Sequence, residues 1–467
     1  MIITNRSIRG FFILLILLVL FLEGATHISP VSANTITVTT TVDEDVGNSA
    51  CSLREAIIAA NTDAAYNGCS AGSGADIITL PAGTYTLIDS PTYSLPYIEG
   101  LITINGESAS TTIVEANACN PVEETCTHNT LVFYILKSGT VTLNDMTLRH
   151  GQSDYGRGAI YNHGKLTINN CIITANVGIY GGAIGNDWEG ILTINNSIIS
   201  NNFSDHQGGG ICNHGELTIN YSTISHNITD NRGGGIFNRG ITTINNSSIM
   251  YNLAGEGNDG GGIYNALALT VNNSALFENS AAFGGGIYNN KLVFTESRGI
   301  EIGWSIITNS TFSMNTAVWW GGGIFNDGIA EITNSTFSGN EGTAGGGICN
   351  RSTLDFSNTI IADSITGSDC FNSNDGVIST NINNLVEDGS CSAAFSGDPS
   401  LGALTYNGGP TQTHALLPGS IAIDAGSMAE CPATDQRGVT RPKGAGCDIG
   451  AFEFYPVVES YLPIILR

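Results

Sequence analysis

The stretch Gly208-Gly-Gly-Ile-Cys-Asn213 is one of eight copies of a phrase that recurs between residues 157 and 350. Each copy reads Gly-Gly-(Gly or Ala)-Ile-x-Asn, and only Arg157 departs from it at the first glycine. The closing asparagines are 24, 27, 25, 27, 24, 37 and 24 residues apart. A nearly fixed period in this range, with strand-like content and no helical pattern, is typical of a solenoid.

Three columns of apolar residues run through the repeats. In two of them the apolar side chain alternates with Thr or Asn, which is the period of a half-buried strand. We therefore predict an all-β chain folded as a right-handed parallel β-helix, with three short strands per coil and the handedness that parallel crossovers prefer. The columns are Ile160, Ile184, Ile211, Ile236, Ile263, Ile287, Ile324 and Ile348; Ile168, Ile194, Ile219, Ile244, Val271, Ile307, Ile332 and Phe356; and Ile173, Ile199, Ile224, Ile249, Leu276, Phe312, Phe337 and Ile361.

Two further columns consist of asparagine. One runs from Asn162 to Asn350, and the other runs from Asn176 to Asn340 with Ser364 in the last place. Asparagine tolerates left-handed turn geometry, and stacked amides can hydrogen-bond along a ladder. We expect both columns to close strands at the corners of the coils.

Residues 1–33 have the pattern of a secretory signal peptide. Arg6 and Arg9 precede an apolar run at 11–22 that is short for a membrane span, and Val31-Ser32-Ala33 offers a small-residue cleavage site. We expect a mature chain that begins at Asn34 and is secreted or held at the cell surface. An uncleaved anchor is the alternative, and no later segment is apolar enough to cross a bilayer.

The composition agrees with export. The formal net charge of −25 argues against nucleic acid and anionic membrane surfaces as partners. Most of the 11 cysteines of an exported chain are expected to be bridged. Their spacing predicts four local pairs and three free, packed thiols. No spacing of the cysteines is typical of a zinc site. The pairs are Cys51–Cys69, Cys119–Cys126, Cys370–Cys391 and Cys431–Cys447; the free thiols are Cys171, Cys212 and Cys349.

One helix is predicted, near the start of the mature chain. Ser52 and Glu55 form a capping box, and the apolar residues that follow Cys51 share one face. The end of a solenoid exposes an apolar cross-section and unpaired strand edges, so it needs a lid. We interpret the helix as that lid, and Arg54 and Glu55 as part of it rather than as catalytic residues.

Several motifs resemble domains of exported bacterial proteins. Residues 51–56 spell Cys-Ser-Leu-Arg-Glu-Ala, the motif that names the CSLREA domain, and 76–87 are similar to that family's first β-helix strands. The Gly-rich phrase with Phe-x-x-Asn at 312–315 and 337–340 is similar to repeats of chlamydial polymorphic outer membrane proteins. Residues 398–453 resemble the choice-of-anchor Q domain. The resemblance implies secretion or surface display with no defined activity.

These patterns divide the chain into six predicted segments. Residues 291–303, inside the 37-residue interval, are predicted to form a loop or short hairpin. The terminal region is interpreted as the last coils plus a cap, and the short tail lacks an evident anchor. The segments are a signal peptide at 1–33, an N-terminal cap at 34–75, the parallel β-helix at 76–365, a disulfide-tied connecting segment at 366–397, a choice-of-anchor Q-like region at 398–455 and a tail at 456–467.

Catalysis is the main alternative to a binding function. Exported β-helices include pectate lyases and polygalacturonases, whose sites need clustered carboxylates for calcium or for acid/base chemistry. The residue after each phrase-closing asparagine never places acids in two neighbouring coils, and Asp187 with Glu189 is the best local pair. The sequence favours a non-catalytic protein for adhesion, glycan contact or structural display over a polysaccharide lyase or glycoside hydrolase.

Metal sites have little support in the sequence. Residues 255–259 match a single calcium-roll repeat, although such rolls need tandem copies. Asp43, Glu44 and Asp45 could hold calcium beside the N-terminal cap, with a solvated turn as the alternative. We predict no cofactor, with calcium left open.

The position between Ile and Asn of the phrase is aromatic in five of the eight copies. If Ile points inward, alternation sends this column outward, where the rings could stack on sugars or dock a partner. Alternatively, the chain bends locally and the rings cover a neighbouring turn. We predict a monomer that contacts an extracellular glycan or another cell-surface protein through this column. The residues are Tyr161, Phe237, Tyr264, Tyr288 and Phe325.

Overall fold

The computed structural model describes residues 33–87, 95–116, 118–124, 126, 130–153, 156–291, 293–295 and 299–455. Except for Ala33, the predicted signal peptide lies outside these residues, and so does the predicted tail at 456–467. The predicted right-handed parallel β-helix is confirmed. Within the described residues, no helix is long and apolar enough to cross a membrane.

Three long parallel sheets form the walls of the helix, as the three apolar columns predict. The first sheet has 13 strands: Ala33–Thr37, Ala75–Leu80, Leu101–Gly106, Thr140–Asn144, Lys165–Asn169, Ile191–Asn195, Glu216–Asn220, Ile241–Asn245, Ala268–Asn272, Trp304–Thr308, Ile329–Thr333, Thr353–Ser357 and Val377–Ile382. The second has 12: Gly83–Thr86, Thr112–Glu115, Thr147–Arg149, Ile172–Thr174, Ile198–Ser200, Thr223–Ser225, Ser248–Met250, Ala275–Phe277, Thr311–Ser313, Thr336–Ser338, Ile360–Ala362 and Leu385–Val386. The third has 10: Phe133–Ile135, Ile160–Asn162, Ile184–Asn186, Ile211–Asn213, Ile236–Asn238, Ile263–Asn265, Ile287–Asn289, Ile324–Asn326, Ile348–Asn350 and Cys370–Asn372.

A fourth, shorter sheet was not predicted. Along the chain, each of its strands follows a strand of the second sheet and precedes a copy of the Gly-rich phrase. Two antiparallel hairpins complete the β structure: Val293–Thr295 with Gly299–Glu301, which confirms the predicted hairpin, and Leu401–Thr405 with Thr413–Leu416. The fourth sheet has six strands: Val177–Tyr180, Phe203–Gln207, Ile228–Thr229, Leu253–Ala254, Ser280–Phe283 and Thr316–Trp320.

The three predicted apolar columns are buried in one continuous core. The ladders of asparagine amides are confirmed as well: each Nδ2 donates to the Oδ1 of the next coil over 2.7–2.9 Å from Asn162 to Asn350. The corresponding distances from Asn176 to Asn340 are 2.9–3.0 Å. The left-handed backbone is not at these asparagines, however. It occurs just before the second ladder, at residues such as Ala175 and Asn201, and just after the strands of the first sheet, at residues such as Asn170 and Asn196.

The N-terminal lid has the predicted structure. Helix Leu53–Thr62 begins with a complete capping box between Ser52 and Glu55. Arg54 pairs with Asp43 at 2.7 Å, and Glu55 accepts a hydrogen bond from Val46. These contacts support the structural interpretation of both charged residues. All four predicted disulfides are present, and Cys171, Cys212 and Cys349 are free and buried, as expected.

Two predicted boundaries differ from the structure. The β-helix does not end at residue 365, because Cys370–Asn372, Val377–Ile382 and Leu385–Val386 pair with the preceding coil as one more coil, with a single register shift opposite Leu354 and Asp355. The sequence hides this coil because it lacks the Gly-rich phrase. At the other end, Ala33–Thr37 pairs with Ala75–Leu80 and supplies the first rung.

The terminal region at 398–455 does not add coils, so its interpretation as last coils is wrong. It folds back along the outside of the second sheet. Thr411 donates to the carbonyl of Asn273 over 3.1 Å, and Ala451 N donates to Thr336 Oγ1 over 2.9 Å. A second apolar cluster joins this region to the sheet. It consists of Ile360, Ala362, Leu385, Leu416, Ala422, Ile449 and Phe452.

The docking of this region is expected to weaken in acid because of His414. Its Nδ1 donates to the carbonyl of Gly402, and its Nε2 accepts from the hydroxyl of Ser313 across the interface. Burial lowers the pKa of the ring below its usual value. The unfolded state therefore binds the proton more tightly, and stability present above about pH 6.5 is lost as the pH falls below it.

Hydrogen exchange of residues 398–455 between about pH 8 and about pH 5 tests this expectation. We expect faster opening at the acidic end, after correction for intrinsic exchange. His414→Leu should be less stable at neutral pH but should lose this pH dependence. An unchanged pH slope in that variant would contradict the assignment to His414.

Candidate functional site

The predicted aromatic column lies on the third sheet. Its members occupy the middle positions of their strands, and those from Phe237 to Phe325 pair with each other in register. The pairing of the strands adds Tyr134 at one end of the column and Phe371 at the other. The prediction missed both residues because neither lies in a copy of the Gly-rich phrase. We call it the aromatic file: Tyr134, Tyr161, Phe237, Tyr264, Tyr288, Phe325 and Phe371, interrupted by Gly185, Cys212 and Cys349.

The rings of the file stack from coil to coil. Phe237 and Tyr264 are 5.2 Å apart between centroids and nearly coplanar at 3°. Tyr264 and Tyr288 repeat this geometry at 5.2 Å and 10°, and Phe325 follows at 5.0 Å. Residues of the file form an apolar cluster separate from the main core, so the side chains leave the core as predicted.

Full outward exposure of the file is nevertheless wrong. Phe237, Tyr264 and Phe325 are only 4%, 4% and 2% exposed, and Tyr161 and Tyr288 are half-buried. The rings cover, and are covered by, neighbouring turns, as the alternative interpretation held. The broad faces of these five rings are therefore occupied by each other and by the residues on both sides, not available to a sugar, whereas Phe371 at the end of the file is 42% exposed.

The residues that cover the file form two rims. The first rim is the end of the fourth sheet, where Phe283 and Trp320 approach Phe325 at 5.7 and 6.0 Å. The second rim follows the phrase-closing asparagines, where His163 lies 4.1 Å from the ring of Tyr161. We call the file and its rims the seam. The first rim is Tyr180, Gln207, Arg232, Asp259, Phe283 and Trp320; the second is His163, Asp187, Trp188, His214, Arg239, Ala266, Asn290, Asp327 and Arg351.

Glycine brings the first rim against the file. Gly208 has a φ of +68°, and a Cβ there would lie 2.2 Å from the carbonyl oxygen of Ile211. At Gly209 a Cβ would lie 2.3 Å from the carbonyl oxygen of Gly234 in the next coil. Only glycine fits this tight turn and close stacking. The phrase that identifies the fold thus also builds the seam.

Arginines stack on the rings of the seam. Arg157 lies 4.3 Å from the centroid of Tyr161, and its Cγ would be 2.2 Å from a Cβ at Gly185, so it fills the gap in the file. Arg232 lies over Tyr264 at 5.2 Å, and Arg351 over Trp320 at 5.5 Å. Including Arg239, four of the eight described arginines are here. The other four hold carboxylates elsewhere in the fold.

A chain of polar groups marks the N-terminal end of the seam. His163 Nδ1 lies 3.0 Å from Asp187 Oδ2, and its Nε2 lies 3.2 Å from the hydroxyl of Tyr134. Tyr161 donates to the same Asp187 oxygen over 3.0 Å. Burial lowers the pKa of His163 and raises that of Tyr161 to about 12. At neutral pH the ring is therefore neutral, donating to Asp187 and accepting from Tyr134.

The predicted pair of Asp187 and Glu189 is divided between two sets of contacts. Asp187 belongs to the polar chain, whereas Glu189 pairs with Lys137 at 2.7 Å on the surface. Trp188 between them is 37% exposed and lies 4.5 Å from the ring of His214. Its ring also lies 5.5 Å from the guanidinium of Arg239, so it belongs to the second rim.

The possible calcium ligands are engaged in other contacts. Asp43 pairs with Arg54, Asp45 accepts from the hydroxyl of Tyr66 over 2.9 Å, and Glu44 accepts from Asn48. Throughout the part of the chain that the structure describes, no three His, Cys, Asp or Glu side chains are grouped as metal ligands.

The solved structures to which this chain is similar resemble it in fold alone, at low sequence identity. Pectate lyase Pel9A is 14% identical, with a TM-score of 0.46 over 91% of this chain and 98% of that chain. The catalytic domain of a GH87 alpha-1,3-glucanase is 13% identical, with a TM-score of 0.37 over 66% and 63%. A PL6 alginate lyase in complex with a trisaccharide is 13% identical, with a TM-score of 0.32 over 82% and 91%. No family model matches the chain, and no curated protein sequence matches it significantly.

Proposed function

We propose that this protein is a secreted or cell-surface β-helix that holds glycan chains along the seam without cleaving them. Export is supported by the secretory pattern of residues 1–33 and by four disulfides, which persist in oxidising compartments. The CSLREA and choice-of-anchor Q resemblances belong to the same proposal and fit surface display.

The observation that carries the proposal is the combination of exposed rings and arginine planes on the two rims. Tyr180, Trp188 and Trp320 are 37%, 37% and 36% exposed beside the file. Aromatic faces receive the apolar faces of sugars, and guanidinium groups donate paired hydrogen bonds to hydroxyl or carboxylate oxygens. The file itself acts as a rigid support, because its stacked rings hold the rim side chains in place.

The dimensions of the seam favour an extended chain over a single sugar. Successive coils advance by about 4.8 Å, which is similar to the advance of one monosaccharide in an extended polysaccharide. Rim groups that recur from coil to coil can therefore meet successive sugars. The chain as a whole carries a large excess of negative charge, whereas the seam has four arginines against Asp187, Asp259 and Asp327. Arg232 is paired with Asp259 at 3.2 Å, which leaves the other three arginines to meet an acidic glycan.

Catalysis is a second candidate because of the Asp187–His163–Tyr134 chain. An imidazole held between a carboxylate and a phenol resembles arrangements that move protons in enzymes. Burial, however, raises the pKa of Tyr134 and so keeps its hydroxyl protonated, and Glu189 has its own partner in Lys137. We therefore assign the polar chain to binding and to rigidity of the seam.

A glycan array probed with wild-type protein and two single variants tests the proposal. Trp188→Ala removes an exposed ring of the rim and Arg239→Ala removes a half-buried guanidinium. We expect each to weaken binding of the best glycan by about tenfold, as for a typical hot-spot residue. Trp304→Ala is the matched control, since Trp304 is 47% exposed but lies on the first sheet. Equal losses in all three variants, or no glycan bound by wild type, would refute the proposal.

A further inference from the structure

The outer face of the first sheet carries two uninterrupted columns of identical residues. On seven consecutive strands, from Leu101–Gly106 to Ala268–Asn272, the second and third outward positions are threonine and then asparagine. The first outward position varies and includes the exposed Lys165 and Glu216. All fourteen threonine and asparagine side chains are half-exposed. We call this surface the Thr–Asn lattice: Thr103, Thr142, Thr167, Thr193, Thr218, Thr243 and Thr270 beside Asn105, Asn144, Asn169, Asn195, Asn220, Asn245 and Asn272.

The lattice is ordered in both directions. Its strands pair without any shift of register. From Asn144 to Asn272, each asparagine Nδ2 donates to the Oδ1 of the asparagine in the preceding coil, over 2.7–3.0 Å. Side-chain ladders of this kind stabilise flat sheets, and β-branched threonine has little rotamer freedom. The exposed oxygens therefore repeat at about 4.8 Å along the column and about 6.7 Å across it.

The threonine hydroxyls have no protein partner within the described part of the chain, so their hydrogen-bonding capacity faces outward. The two columns contain no charged residue, although the chain as a whole has a formal charge of −25. Hydroxyl and amide groups both donate and accept, as water does. A doubly periodic array of uncharged groups of this kind is complementary to a crystalline, uncharged partner rather than to one small soluble molecule, which would meet only one or two rungs.

We propose that the Thr–Asn lattice binds ice. The repeat of oxygen atoms along one axis of hexagonal ice differs from the coil spacing by only a few tenths of an ångström, and its other axial repeat is close to the two-residue advance across the strand. Methyl and hydroxyl groups of threonine, held at these spacings, order water into the same lattice and adsorb to the crystal. This activity is independent of the seam, which lies on the third and fourth sheets.

Partition into slowly grown ice tests the proposal. Wild-type protein should be recovered from the ice fraction, whereas Thr218→Arg and Thr193→Arg should lose this enrichment, because a long side chain keeps two flat surfaces apart. Thr223→Arg is the matched control, since Thr223 is half-exposed on the second sheet of the same coil as Thr218. It should partition like wild type.

Circular dichroism and thermal melting of each variant separate loss of binding from loss of fold, and the second lattice variant remains informative if the first fails to fold. Sedimentation with microcrystalline cellulose and chitin is run beside the ice assay. Exclusion of wild type from ice would overturn the proposal, whether or not the protein sediments with the polysaccharide crystals. Equal partition of the lattice variants and Thr223→Arg would overturn it as well.

Discussion

Replacing Asn227 with alanine is expected to destabilise the coils around it by about 4 kcal/mol. The Oδ1 of Asn227 accepts from both the backbone N and the Nδ2 of Asn202, and its Nδ2 donates to the carbonyl of Ile199 and to Asn252. The side chain is fully buried, so no water can replace it. Each orphaned buried group costs about 1–3 kcal/mol, and the substitution orphans more than one.

Hydrogen exchange at the amide of Asn202 measures this effect directly, because a solenoid opens locally rather than as one unit. Asn231→Ala is the matched control. Asn231 lies four residues away, its side chain is half-exposed, and no hydrogen bond to that side chain occurs among the described contacts. Its replacement should change the opening free energy by less than about 0.5 kcal/mol. Similar exchange in both variants would mean that the ladder contributes little.

Arg441→Met is expected to release the terminal region at 398–455, at a cost of about 3–5 kcal/mol. The side chains of Arg441 and Glu453 are both 0% exposed and meet at 3.0 Å. The guanidinium also donates to the carbonyls of Asp448 and Gly450. Removing it leaves the Glu453 carboxylate buried without its cation, which is more costly than lacking the whole pair.

Limited proteolysis is the measurement for this variant. Cleavage should begin within residues 398–455 while the coils up to residue 386 stay protected. The double variant Arg441→Met with Glu453→Gln should regain part of the lost stability, because no unpaired charge remains. If the single variant resists protease as wild type does, or if the double variant is less stable still, the ion pair does not hold this region in place.

The sequence predicts those parts of the fold that repeat. Ile211, Ile219 and Ile224 each belong to a column that has an apolar residue in every regular coil. Periodicity alone therefore places these columns in one core. The disulfides were predictable because each closes a short local loop, as Cys51 and Cys69 do. The lid helix carries its own start signal in Ser52 and Glu55.

Features that depend on contacts between unlike segments could not be read from the repeats. The fourth sheet has almost no common sequence, because strands such as Ile228–Thr229 and Leu253–Ala254 are held together by hydrogen bonds between backbone groups, which every residue type offers. Its ends cover the aromatic file, and for this reason alternation alone overstated the exposure of Phe237. The docking of 398–455 involves contacts such as Thr311 with Gln436, which are 125 residues apart.

The polar chain at the end of the seam shows the same limit. His163 and Asp187 occupy one column of the repeat, so their proximity could have been derived from the coil spacing. Tyr134 lies in an irregular coil without the phrase, and only strand pairing brings it into register with Tyr161. Acids in neighbouring coils are the pattern of a glycosidase site, and a chain of one carboxylate, one imidazole and one phenol does not contain that pattern.

Mass spectrometry of a bound glycan tests the central claim most directly. The mature chain is incubated at equimolar concentration with the polysaccharide that binds most tightly on the array, and the glycan's chain length is then compared with that of an untreated sample. We predict that the protein binds the glycan through the seam and leaves its length unchanged. Shorter products that disappear in His163→Ala would contradict the claim and would make the Asp187–His163–Tyr134 chain a catalytic centre.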